Sequence, residues 1–221
     1  EGRQAIARVS ADGKVLEQRW LEGLFNPTGL AVFRDRLFAV ERRAVVVMDI
    51  KNRKILSRID LPGAIFPNDI AVDAAGVLYI SDSAAQAVFR VQGEAAEVWL
   101  QGGAIVNPNG ICVAGDELLV GNNGDRSLKA VALASKRVRT ICRFRSGIID
   151  GIAVDGRGDI LLSHNEGRFY RIDKDGSAEK LLDTTVIGVN LADFAFVPET
   201  GLLVFPTFTG NALVAYRISR N

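Results

Sequence analysis

The chain has 221 residues, nearly half of them apolar, with 27 basic against 26 acidic side chains. Arginines such as Arg42 and Arg43 are scattered rather than massed, so the electrostatic footprint of a nucleic-acid binder is missing. The longest apolar runs are strand-sized and too short to span a bilayer as a helix, so a soluble chain with no membrane partner is expected.

In chain order, residues 4–10, turned at Asp12-Gly13 and continued by 15–20, read as the third and fourth strands of a four-stranded unit whose first two strands are missing. A short motif then recurs five times, each copy opening an apolar strand. The copies are Asn26-Pro27-Thr28-Gly29-Leu30, Phe66-Pro67-Asn68-Asp69-Ile70, Asn107-Pro108-Asn109-Gly110-Ile111, Ile148-Ile149-Asp150-Gly151-Ile152 and Asn190-Leu191-Ala192-Asp193-Phe194. Aligned on Gly29, Asp69, Gly110, Gly151 and Asp193, they step by 40, 41, 41 and 42 residues. Within the second full repeat, 69–73 is an apolar inner strand, 77–81 follows a turn at Ala75-Gly76, 87–91 alternates and 96–100 closes the unit. The near-continuous apolar first strand reads as buried on both faces. At the C-terminal end, 191–197, 202–205 and 212–218 supply three strands and no fourth. No stretch carries a helical period with caps.

Four antiparallel strands repeated about every 41 residues define an all-β chain of β-propeller type, here read as one domain over 1–221. The WD and kelch signatures are absent. Because residues 4–20 supply both a third and a fourth strand, a six-bladed propeller with an incomplete first blade is preferred over a five-bladed ring closed by an N-terminal strand. Cys112 and Cys142 fall on the first and fourth strands of one unit, roughly 14 Å apart at ordinary strand spacing. A disulfide needs Cα atoms within about 7 Å, so two buried free thiols are expected. Glu1 is preceded by no initiator Met, and the chain shows no signal peptide, the pattern of a trimmed or mature product.

Strand direction gives one rim to the residue before each anchor and to the loop between second and third strands. The first set is Thr28, Asn68, Asn109, Asp150 and Ala192; the second is Glu41 and Arg42, Asp82, Asn122 and Asn123, His164 and Asn165, and Phe208. Asn68, Asn109 and Asp150 are hard oxygen donors suited to Ca²⁺ or Mg²⁺. The same residues are also ordinary turn formers, so a purely structural role stands beside the ligand role. His164 is the only histidine, which rules out a zinc His pair, and no nucleophile elbow or phosphate loop is present. Residues 121–125 lack the span and final Glu of a calcium loop.

The repeats Pro67-Asn68-Asp69-Ile70-Ala71-Val72-Asp73, Leu78-Tyr79-Ile80-Ser81-Asp82 and Pro108-Asn109-Gly110-Ile111 resemble those of the gluconolactonase and regucalcin (senescence marker protein) family of six-bladed propellers, in particular its bacterial branch. The resemblance implies a divalent metal (Ca, Mg, Mn or Zn) at the top of the central channel. Asn68 and Asn109 are similar to the family's Asn ligands, and Asp150 to the Asp that binds metal and serves as the catalytic base. It also implies a hydrolase acting on a lactone or related small ester, expected to work as a monomer, with export to the periplasm favoured. The family's Glu ligand precedes a first-blade inner strand that this sequence does not contain, and Glu41 lies in a different loop. The alternative is a noncatalytic propeller binding a small ligand or a protein partner on the rim formed by Glu41, Arg42, Asp82, Asn122, Asn123, His164, Asn165 and Phe208.

Overall fold

Short runs of Val, Ile, Leu and aromatic residues, each cut by Gly, Asp or Asn turns, favour extended segments of five to seven residues, and such segments are what form. A computed structural model of the chain describes residues 4–218. The chain divides after Gln101 into two compact units.

The first unit opens with a hairpin, β1 (Gln4–Val9) and β2 (Val15–Leu24). Two four-stranded antiparallel sheets follow: β3 (Pro27–Phe33), β4 (Arg36–Glu41), β5 (Ala44–Asp49) and β6 (Lys54–Asp60), then β7 (Pro67–Val72), β8 (Leu78–Asp82), β9 (Ala87–Gln92) and β10 (Ala95–Gln101). The second unit has β11 (Pro108–Ala114), β12 (Glu117–Asn122), β13 (Ser127–Ala132) and β14 (Val138–Arg143), followed by β15 (Ile149–Val154), β16 (Ile160–His164), β17 (Arg168–Ile172) and β18 (Ala178–Asp183). A 3-10 turn at Thr185–Ile187 leads to a three-stranded sheet of β19 (Ala195–Val197), β20 (Leu202–Pro206) and β21 (Leu213–Arg217). In each sheet the strands lie in chain order. These sheets are the four-stranded antiparallel blades of an all-β propeller.

Among the described residues five sheets contain an inner strand, the count of the five-bladed alternative rather than of the preferred six-bladed reading. The reason lies in β1 and β2, which pair with each other and supply no inner strand. The same fact explains a second departure. Strands β7, β11 and β15 are largely buried as expected, but β3 exposes Leu30 and Val32, because the hairpin beside it offers no inner strand to cover them. In the last sheet β19 is only three residues long, against the expected 191–197. At the position where other inner strands begin to pair, β20 carries Pro206, which has no N–H for the ladder.

Neighbouring sheets within each unit pack face to face. Val40, Val45, Ile70, Ile80 and Phe89 form one core in the first unit, and Leu21, Leu24 and Met48 anchor the hairpin to its sheet. In the second unit Leu119, Leu128, Ile149, Ile152 and Leu162 fill the space between two sheets, and Leu161, Phe169, Leu191, Leu203 and Phe205 fill the next. Each such fully buried side chain contributes roughly 1.5–3 kcal/mol. Cys112 and Cys142 are free thiols on β11 and β14, three strands apart in one sheet, and are half-buried rather than fully buried. Burial pushes the Cys142 thiol up to about 11, outside the reactive range.

Candidate functional site

The recurring motif turns out to be a β-bulge. In every four-stranded sheet the register between first and second strands slips across the motif, between Pro27 and Leu30, Pro67 and Ile70, Pro108 and Ile111, and Ile149 and Ile152. The residues expected in a loop before the inner strand (Thr28, Asn68, Asn109 and Asp150) therefore sit inside it, at the point where a bulge turns a side chain out of the alternating pattern. Glycine recurs beside them because the next inner strand passes too close for a Cβ. A Cβ on Gly29 would lie 2.7 Å from Asp69 Oδ1 and Cα, one on Gly151 would lie 2.5 Å from Asp193 Oδ1, and one on Gly110 would collide with the Asp150 carbonyl.

A bulge frees backbone N–H groups from the ladder, and serines on the second strand recover two of them. The Asp69 N–H donates to Ser81 Oγ at 3.0 Å, and the Gly151 N–H donates to Ser163 Oγ at 2.8 Å. Ser163 Oγ in turn donates to the Ala192 carbonyl at 2.9 Å, joining β15 to the segment that leads into β19. Neither serine was singled out from the sequence, although Ser81-Asp82 and Ser163-His164 hold the same place in their repeats. Asp193, read in the sequence only as a period marker, is the third residue missed. It faces Gly151 and accepts the Phe194 N–H at Oδ1, 2.7 Å.

Asn109 and Asp150 are brought together within the second unit. Asn109 Nδ2 donates to Asp150 Oδ1 at 3.3 Å, and the Asn109 side chain is buried with its Oδ1 accepting no hydrogen bond. Burial pushes the Asp150 carboxyl up to about 6, with the Asn109 amide opposing. The Asp193 carboxyl is also raised, first by burial and then by the negative charge of Asp150. Asn68 occupies the corresponding bulge of the first unit, where its Nδ2 donates to Ser83 Oγ at 3.2 Å.

Four of the residues expected on the rim have their side chains buried instead. Glu41, Asp82, Asn122 and His164 each end a second strand, and the first three serve as clamps on the loop that precedes the inner strand of their own sheet. Glu41 Oε2 accepts the Phe25 N–H at 2.7 Å. The Asp82 carboxylate accepts Ile65 N–H at 2.7 Å and Phe66 N–H at 3.0 Å, and Asn122 Oδ1 accepts Val106 N–H at 2.6 Å. His164 breaks the series: neither ring nitrogen has a hydrogen-bond partner, and the ring packs against Phe144 and Tyr170 at 4.6 and 4.9 Å between centroids. Burial holds its imidazole down to about 4. Of the other rim residues, Arg42 and Phe208 are exposed, and Asn165 is half-buried. Asn123 grips Ile149 with both ends of its amide, accepting from its N–H at 2.8 Å and donating to its carbonyl at 3.2 Å.

Among the described residues no group of three or more His, Cys, Asp or Glu gathers around one point, so any cation site here must draw on amide oxygens. Asn109 and Asp150 fit that requirement. The unpartnered Asn109 Oδ1 and the carboxylate beside it are hard oxygen donors, the chemistry of Ca²⁺ and Mg²⁺ sites. A carboxyl titrating near 6 can also take up or release a proton close to neutrality.

Bulged inner strands in four-stranded blades, carrying Asn and Asp at one repeated position, define a β-propeller with a candidate polar site on its inner strands. A family model described as the SMP-30/gluconolactonase/LRE-like region matches residues 3–188, and the chain belongs to that family. No curated protein matches it. Among solved structures, a gluconolactonase from Xanthomonas campestris is 21% identical with a TM-score of 0.77, over 95% of this chain and 77% of that one. A virginiamycin B lyase from Staphylococcus aureus is 13% identical with a TM-score of 0.72, over 95% and 71%. A chain of a nidogen/laminin complex is 14% identical with a TM-score of 0.78, over 96% and 84%. At these identities the likeness is one of fold, shared by proteins of unrelated purpose.

Proposed function

We propose that this chain is a lactonase-like hydrolase that depends on a divalent metal and opens a lactone or related small ester, with Asn109 and Asp150 at the centre of its site. The observation that carries the reading is the buried Asn109 Oδ1 without a partner, set beside an Asp carboxyl whose burial raises its pKa. Membership of a gluconolactonase-containing family supports the reaction class. Asn109 and Asp150 would hold the cation; bound there, a divalent cation would supply Lewis acidity toward a carbonyl oxygen.

The chain's own residues set the rest. The Asn109 amide orients Asp150 through Nδ2, leaving one carboxylate oxygen free of that bond. Asp150 is the group placed to take a proton from water, and its burial raises its affinity for that proton. Ser163 fixes the backbone of Gly151, and with it the direction of the Asp150 side chain, by accepting from the Gly151 N–H and donating to Ala192. The test is hydrolysis of a panel of small lactones with added Ca²⁺, Mg²⁺, Mn²⁺ or Zn²⁺. Metal-stimulated turnover that Asp150→Ala abolishes supports the reading, whereas turnover indifferent to metal and to this change removes it.

A noncatalytic rim that binds a ligand or protein is the second reading, favoured by apolar side chains left in solvent, Phe208 at 79%, Val186 at 87% and Ile187 at 68% exposure. It predicts binding that survives Asp150→Ala and is lost when Phe208 is replaced by Ser.

A further inference from the structure

The first unit contains a cleft of about 600 Å³, within the range of small-ligand sites, whose walls are Phe25, Ile65, Phe66 and Pro67. Its opening follows from loop length. The β4–β5 connection has only Arg42 and Arg43, whereas the β8–β9 loop has four residues, 83–86, and the β12–β13 loop has four, 123–126. A two-residue hairpin turn favours Asn-Gly or Asp-Gly, yet here two arginines stand there, and Arg42 is held at a left-handed φ of 48° that costs a bulky residue energy.

The charges around the cleft sort into satisfied and unsatisfied groups. Glu41 is consumed by the Phe25 N–H and by Arg58, whose Nε lies 2.7 Å from Oε1, and Arg58 Nη2 also donates to the Gly23 carbonyl at 2.8 Å. Glu41 and Arg58 therefore cancel. Among the described residues neither Arg42 nor Arg43 makes an ion pair; the Arg42 guanidinium lies over the Phe25 ring, 4.7 Å from its centroid. Asp60, exposed at the edge, is the opposing unpaired anion. Two free guanidinium groups against one carboxylate leave the mouth net positive, above walls that are aromatic and aliphatic and half in water, Phe66 at 49% and Ile65 at 58% exposure.

We propose that this cleft is a binding site for a small organic carboxylate with an apolar body, the carboxylate taken by Arg42 and Arg43 and the apolar part lying against Phe25, Ile65 and Phe66. A guanidinium pairs a carboxylate through parallel N–H bonds and keeps its stacking on the ring while doing so. The inference depends neither on a metal nor on the hydrolytic reading, since all of its residues lie apart from Asn109 and Asp150 in the sequence and in the other compact unit.

The experiment is a titration of the whole protein with 4-phenylbutanoate, and in parallel with the neutral 4-phenylbutan-1-ol, followed by ¹⁵N NMR at the arginine side chains and at the Ile65 and Phe66 amides. A ligand of this size should bind at roughly millimolar strength. The carboxylate should shift these signals at least ~10-fold more tightly than the alcohol. The double variant Arg42→Asn/Arg43→Ser should lose that preference, Asn being used because it tolerates the left-handed turn. Asp60→Asn should tighten carboxylate binding by about twofold to threefold, a change that a misfolded protein would not give. Equal binding of acid and alcohol, unchanged affinity in the double variant, or shifts confined to other parts of the chain would each overturn the proposal.

Discussion

Two titrating side chains, Asp150 and His164, pull the pH dependence of stability in opposite directions. Asp150 titrates near 6 in the fold against an ordinary 3.8, so the folded chain holds that proton more tightly than the unfolded one. Its contribution is present below about pH 4 and is lost as pH rises to 6, about 3 kcal/mol in all. His164 titrates near 4 in the fold against an ordinary 6.5, so its contribution is present above pH 6.5 and is lost as pH falls to 4, again about 3 kcal/mol. The two oppose each other between pH 4 and 6, and the raised Asp193 carboxyl adds to the Asp150 direction. With divalent metals chelated, urea melts should find Asp150→Asn more stable than wild type at pH 8 and more acid-sensitive. His164→Phe, which keeps a ring beside Phe144 and Tyr170, should gain more stability than wild type on going from pH 6.5 to 4. Parallel pH profiles for all three proteins would contradict this assignment. At Ser163, substitution by Ala strands the Gly151 N–H and should cost about 1–3 kcal/mol, read as a lower midpoint in the same melts.

At the level of the strand, the bulge is the feature that turns a structural repeat into a site. Gly110→Ala places a methyl group against the Asp150 carbonyl and should cost about 3 kcal/mol through displacement of β15. Gly115→Ala, at a turn with open space around it and a φ of 61°, should cost only about 1 kcal/mol from backbone strain. Equal costs at the two positions would show that turn conformation alone explains the regular spacing of the glycines along the chain. The sequence carried the position of this element but not its geometry. Gly29, Gly110 and Gly151 were legible as period markers, while the reason for Gly lies in the neighbouring inner strand about 41 residues away, which no local pattern encodes. The same holds for Glu41, Asp82 and Asn122. Their place after the second strand was readable, but their inward turn depends on N–H groups at Phe25, Ile65 and Val106, some sixteen residues earlier.

For the chain as a whole, composition and a strict period were enough for the all-β propeller class, because four successive sheets repeat the same order of short antiparallel strands cut by turns. The blade count was not, since the pairing of β1 with β2 is indistinguishable in sequence from the outer half of a complete blade. Asn109 and Asp150 were legible as candidate donors from their motif position; Asp193 and Ser163 were not, being ordinary residues until the inner strands of the second unit come side by side. The central claim is that the Asn109–Asp150 pair is a metal-dependent hydrolytic site, and the rate of lactone hydrolysis tests it most directly. Measured with saturating divalent metal, the wild-type rate should exceed that of Asp150→Ala by at least ~100-fold, the loss expected for a removed general base. Equal rates for the two proteins, or no hydrolysis of any lactone by the wild type with any of the four metals, would contradict it.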